Sequence, residues 1–215
     1  MNFKNIYSAL AVLAVTQVTG CTLVPVTASL DVPVTKTASS TGPAVKVVSV
    51  TDNRKFVYPH VAGDCETPSV DSEKMLNDAD SKARSFGRQG RCDGGEWANH
   101  AMVMLPDGQT VANSVQAAVE DGLSRAGYRI NNQDPSAIPV SVALNNFWVA
   151  FSLDGMGMRY SYTYDIDVKT PLGQEKYKKM DSEKMYFAAG SKWAKYAQLG
   201  LEQLSTEVSN KQKPL

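Results

Sequence analysis

The chain has 215 residues, in which 22 Lys and Arg balance 22 Asp and Glu for a net charge of zero. A neutral chain lacks the basic footprint of a nucleic-acid binder and of a protein held electrostatically to a membrane. Hydrophobic residues make up 43% of it, enough for one core. The first 20 residues read as a secretory signal. Lys4 supplies a positive start, and Ile6 to Val15 form an apolar run of about ten residues, too short to span a bilayer. Removing residues 1–20 takes away Lys4, so 21 basic residues face 22 acidic ones, a net of −1.

The junction Val18-Thr19-Gly20-Cys21 resembles the lipobox of bacterial lipoproteins. That resemblance implies a diacylglycerol on the Cys21 thiol, cleavage before Cys21 and acylation of the new amino terminus. The alternative is an ordinary secreted protein with an incidental Cys. Thr22 stands where an Asp would favour the inner membrane, so the same resemblance implies the periplasmic face of the outer membrane, with the inner membrane as runner-up. The membrane partner is then reached through acyl chains, each buried CH₂ contributing about 0.8 kcal/mol.

Residues 22–44 are rich in Thr, Ser and Val and punctuated by Pro25, Pro33 and Pro43. Pro removes backbone donors and Ser/Thr offer little apolar area, so 21–44 read as a lipidated Cys with a flexible tether. About 23 residues of flexible chain have a root-mean-square reach of roughly 27 Å. The alternative is that Leu23-Val-Pro-Val or Leu30-Asp-Val-Pro-Val adds an edge strand.

A single domain is expected over 45–209. Val45 to Val50 is β-branched and reads as a buried strand. Asp52-Asn53-Arg54 follows it, either a ligand site or a turn whose carboxylate holds backbone N–H groups and the Arg. Residues 57–97 read as an irregular insertion, with a short polar helix within Ser72 to Ser85 and a Gly/Arg-rich run after it. With Cys21 consumed by lipid, Cys65 and Cys92 remain as an even pair in an oxidising compartment, and a disulfide is the default. Closing a loop of about 28 residues contributes roughly 3 kcal/mol in the chain-entropy model. A zinc site adding His60 and His100 has the wrong spacing, and Asp78-Ala-Asp80 lacks the ligands of a calcium loop, with Lys82 and Gln89 where acids belong. No metal and no cofactor is expected.

Val111, Val115, Ala118, Val119, Gly122, Leu123 and Ala126 recur at helical steps, and Gly127 ends the pattern. Three strands follow. Val140, Val142 and Leu144 alternate until Asn145-Asn146 breaks the phase, and Phe147 to Phe151 resume it. The next strand places Met158, Tyr160, Tyr162, Tyr164, Ile166 and Val168 on one face. Trp97, Trp148, Tyr160, Tyr162 and Tyr164 are the candidates for an aromatic binding surface, with the half-buried face of a sheet as the plainer reading. Asp165 and Asp167 share the opposite face beside Arg159 and Lys169, as on a solvated face, the alternative being a pair of acids for glycoside chemistry under a covering cleft. Glu175 to Phe187 is a Lys- and Glu-rich edge strand. A last helix starts near Gly190-Ser191 with a stripe of Trp193, Ala197, Gly200, Leu201, Leu204 and Val208. Residues 210–215 read as a frayed tail.

The expected fold is α+β: a two-layer domain with an antiparallel sheet of about four strands, two helices on one face, and a disulfide-stapled insertion. Several features in order resemble the YajG-like family of envelope lipoproteins, and more loosely accessory lipoproteins of envelope transport systems. They are the lipobox, the strand ending in Asp-Asn-Arg, the helix closing with Leu123-Ser-Arg-Ala-Gly-Tyr-Arg-Ile, the Tyr-rich strand and the final helix. The resemblance covers roughly 1–56 and 101–209, leaves the insertion without a template, and implies a non-enzymatic envelope role with no catalytic residues to transfer. No Gly-x-Ser-x-Gly, Ser-x-x-Lys, P-loop or His-Glu-x-x-His occurs. Two functions stand: an accessory or assembly component that docks an envelope protein through a sheet edge or the insertion, and a module binding a small ligand or cell-wall glycan through its aromatics.

Overall fold

A computed structural model describes residues 26–31, 41–94, 101–171, 173–185 and 192–212. The signal segment, Cys21, Trp97 and His100 lie outside the described residues. In chain order the elements are β1 (Val26–Thr27), β2 (Ala44–Asp52), α1 (Glu73–Asn77), α2 (Ala79–Arg84), β3 (Ser85–Arg91), β4 (Met102–Met104), α3 (Val111–Arg125), β5 (Arg129–Ile130), β6 (Ile138–Asp154), β7 (Gly157–Thr170), β8 (Gly173–Met185) and α4 (Lys192–Lys211).

The expected antiparallel sheet of about four strands in two layers is overturned. Eight strands form one mixed sheet, and four of its seven strand pairings are parallel. β6 is its axis. One edge of β6 pairs with β7 along its length, and β8 lies beyond β7. The other edge is divided, with β2 beside the first half, from Ile138 to Leu144, and β3 beside Val149 and Phe151. β5 extends the β2 side, while β4 and then β1 extend the β3 side. β2 and β6 run parallel because the whole insertion and α3 separate them, long enough for a crossover.

Two of the unexpected strands come from sequence that lacks strand character. β3 is the Gly/Arg-rich run itself, and β1 lies in the segment read as tether, where Leu30 is also buried. The alternative of an added edge strand therefore holds at Val26–Thr27, and the loop of 57–97 is in part a central strand. At the other end, α4 runs through Lys211, so residues 210 and 211 are helical and not a frayed tail.

α3 and α4 pack together on one face of the sheet. Thr110 caps α3 by accepting the Asn113 N–H at 3.1 Å. Its other end closes with Gly127 at φ 103°, where Gly127 N–H reaches Ser124 O and Tyr128 N–H reaches Leu123 O, both at 3.0 Å. Gly122 brings the helices close: a Cβ there would meet Ser205 O at 2.6 Å and Val208 Cβ at 2.7 Å. Under the helices, β6 keeps its apolar side inward across a bulge at Asn145. Val140, Val142 and Leu144 face the helices before it, and Phe147, Val149 and Phe151 after it. The phase break in the sequence is thus one strand with an extra residue, not two strands.

The insertion covers the opposite face as a third layer. Val70, Cys92, Met102, Met104, Trp148 and Ala150 form a second, smaller core, with Phe56, Cys65, Met75 and Leu76 packed against it. Cys65 and Cys92 are joined as a disulfide, with Cα atoms 4.9 Å apart. Among the described residues no helix is long and apolar enough to cross a membrane.

Candidate functional site

The aromatic residues that the pattern offers as a binding surface are inside the protein. Tyr160, Tyr162 and Tyr164 are buried beneath α4, and Tyr160 stacks on Tyr196 with ring centroids 5.3 Å apart. A Cβ on Gly200 would meet the Tyr162 ring at 3.1 Å, so the bare helix backbone lies on that ring. Trp148 is buried on the other face, with Phe56 edge-on at 6.2 Å. These rings are core, and no open platform for stacking exists at Trp148 or at the three tyrosines. Both faces of the sheet are covered here, and periodicity on one strand does not reveal that.

The other polar candidates resolve as structure. Asp52 pairs with Arg54 at 2.7 Å, and Arg54 donates onward to Ser85 O at 2.6 Å and Lys82 O at 2.8 Å. This buried guanidinium neutralises the last carbonyls of α2 and fixes the start of β3 where β2 stops. Arg88 ties β3 to the insertion through Asp71 at 3.2 Å and Val70 O at 3.2 Å. Asp165 pairs with Lys176 at 3.0 Å, and the Asn145 amide donates to Asp167 at 2.8 Å, which makes the carboxylate pair a neutralised ladder. His60 Nε2 lies 3.1 Å from Cys92 O. Among the described residues no group of three His, Cys, Asp or Glu is placed to hold a metal.

One long edge of the sheet is unpaired among the described residues: β8 pairs there with β7 alone, all 13 of its residues in register from Met158↔Met185 to Thr170↔Gly173. Between it and α4 lies a cleft of about 410 Å³ lined by Tyr162, Asp181, Glu183, Tyr196 and Glu202. Tyr196 donates to Glu183 at 2.5 Å and Tyr162 to Asp181 at 3.5 Å. Burial, and after it the Asp181 charge, pushes the Tyr162 hydroxyl up to about 12. Burial and the bond to Glu183 push Tyr196 up as well. Both phenols therefore stay protonated and act as donors, and the carboxylates they hold form an acidic rim with no nucleophile set against a base.

Further along the same edge lysines predominate. Lys176, Lys178 and Lys211 line a second groove of about 610 Å³ beside Glu207 and Asn210. The Lys211 ammonium sits 4.9 Å from the Tyr177 ring centre, and Lys176 is paired with Asp165. The edge is thus polar along its length. The Lys/Glu content of this strand marks it as an edge in the sequence. The acidic cleft is invisible there, because it needs the register that sets Asp181 opposite Tyr162 and Glu183 opposite Tyr160.

No family model matches the chain, and no curated protein does. Among solved structures the fold is similar to protein XCC0632 from Xanthomonas campestris, of the family DUF330, with a TM-score of 0.45 and 11% identity over 84% of this chain and 90% of that one. An uncharacterized protein of known structure is similar with a TM-score of 0.41 and 9% identity, over 79% of this chain and 98% of that one. Neither likeness is close enough to carry a function or a residue across.

Proposed function

We propose that the chain is a non-enzymatic accessory or assembly lipoprotein of the bacterial envelope. Acyl chains on Cys21 hold it on the periplasmic face of the outer membrane, and β8 docks an extended segment of an envelope protein. The observation that carries the docking is the free edge of β8, 13 residues whose outward N–H and C=O groups pair with no strand among the described residues. The lysines on it discourage indiscriminate pairing. The YajG-like order of motifs supports the same role and adds no residue to it. The glycan-binding alternative is weakened by the burial of Trp148, Tyr160, Tyr162 and Tyr164 in the core.

The test is a photo-crosslinking amino acid placed in the full chain at Lys178 or Ser182 of β8, with Val48 of β2 as the control, followed by irradiation of intact cells. The expected result is one envelope protein crosslinked from both β8 positions and not from Val48. No adduct, or adducts only with a second copy of the chain, contradicts the reading.

A further inference from the structure

Strand directions turn the start of β1 toward one particular end of the sheet. β3 runs parallel to β6, β4 antiparallel to β3, and β1 parallel to β4. The chain therefore enters β1 from the side on which β6 finishes and turns into β7, with Val26 level with Val149. Cys92 belongs to this end too, because its N–H reaches Phe151 O at 2.7 Å and its carbonyl accepts from Gly63 N–H at 2.8 Å. The neighbouring Asp93 carboxylate accepts the Leu153 N–H at 3.3 Å, which joins the stapled insertion to the β6–β7 turn.

Exposed apolar side chains gather at that end. Seven large ones are exposed among the described residues, and three of them are here: Val61, Leu153 and Met156. Met156, in the turn itself, is 98% exposed. Ion pairs stand behind them, Arg159 with Asp154 and Arg91 with Asp93. At the opposite end of the sheet, the turn Asn131-Asn132-Gln133-Asp134 is wholly polar. Between Cys21 and Val26 there are only five peptide steps, which span at most about 18 Å however they are arranged.

We propose that the end of the domain bearing the β6–β7 turn lies against the bilayer, with Met156 and Leu153, beside Val61, entering the lipid interface. This rests on the reading of Cys21 as the lipid anchor. An acylated Cys21 at the membrane surface leaves β1 too little chain to hold this end far from the lipid. The apolar tips then gain contact with acyl chains while Arg159, Asp154, Arg91 and Asp93 stay at head-group level. The anchor and the turn act as two attachment points, which orient the domain and leave the edge of β8 accessible from the side.

With Cys21 in a thioether and Cys65 and Cys92 in a disulfide, Met156→Cys introduces a single free thiol for a fluorescent label. Met180→Cys, on β8 away from this end, is the control. The full-length protein is taken from membranes into vesicles of phosphatidylethanolamine and phosphatidylglycerol with brominated acyl chains, and the mass of its N-terminal peptide is measured. Acylated Cys21, with the Met156 label losing most of its emission and the Met180 label keeping it, is the expected result. Acylated Cys21 with an unquenched Met156 label overturns this orientation alone, as does equal quenching at both positions. A bare Cys21 thiol overturns the anchoring reading and this inference with it.

Discussion

The two faces of this sheet are covered in different ways. On one, α3 and α4 bury a continuous aromatic and aliphatic core that includes Phe147, Tyr160, Tyr164 and Leu201. On the other, the insertion contributes a small apolar cluster and is secured by the Cys65–Cys92 disulfide and the Arg54 and Arg88 networks. Where the covering element is a regular helix, a broad apolar area carries the packing. Where it is short and irregular, with α1 and α2 of 5 and 6 residues, covalent and ionic ties supply what the area does not.

Replacing Phe147 by Ala sharpens this contrast most. Phe147 is fully buried under α4, and the substitution is expected to cost about 3–5 kcal/mol and lower the denaturation midpoint of the whole domain. A melt unchanged by this substitution breaks the assignment of the helix face as the main core. Removing the disulfide with Cys65→Ser and Cys92→Ser comes next, at about 3 kcal/mol. Hydrogen exchange should then accelerate first in 57–84, while α3 and α4 keep their protection. Equal loss on both faces contradicts the division.

The smallest effect is titration. Tyr160, Tyr162, Tyr164 and Tyr196 on the helix face are all held above the ordinary tyrosine value, chiefly by burial, with Tyr162 at about 12. The folded state keeps protons that the unfolded chain releases from about pH 10. Their contribution is fully present below that value and is lost as pH rises toward 12. Denaturation midpoints measured across this range should be level to about pH 9 and then fall, with α4 losing exchange protection ahead of the stapled insertion.

The same contrast separates what was legible in the sequence from what was not. α3, α4, β7 and β8 are long and periodic, so the stripe from Val111 to Ala126 and the alternation from Met158 to Val168 locate them. β3 has no such pattern. Its residues Gly87 and Arg88 are dictated by neighbours distant in sequence. A Cβ at Gly87 would meet Val149 O at 2.8 Å, and the Arg88 carbonyl accepts the Trp193 indole N–H at 2.8 Å. Among the described residues β1 is two residues long and pairs with β4 alone. Sheet size and strand direction follow from these non-local pairings, which is why an antiparallel sheet of about four strands was expected and a mixed sheet of eight was found. The disulfide was legible from cysteine parity. The β8–α4 cleft was not, because Asp181 and Tyr196 meet only through the register of β8 and the seating of α4.

The functional account depends on Cys21 more than on any other residue. Its most direct test is the mass of the N-terminal peptide of the protein recovered from bacterial membranes. The account predicts that residues 1–20 are absent and that Cys21 carries a diacylglyceryl thioether with an acylated amino group. A Cys21→Ser version should retain residues 1–20 or leave the membrane fraction. An unmodified Cys21 thiol on protein that is still membrane-bound would contradict it.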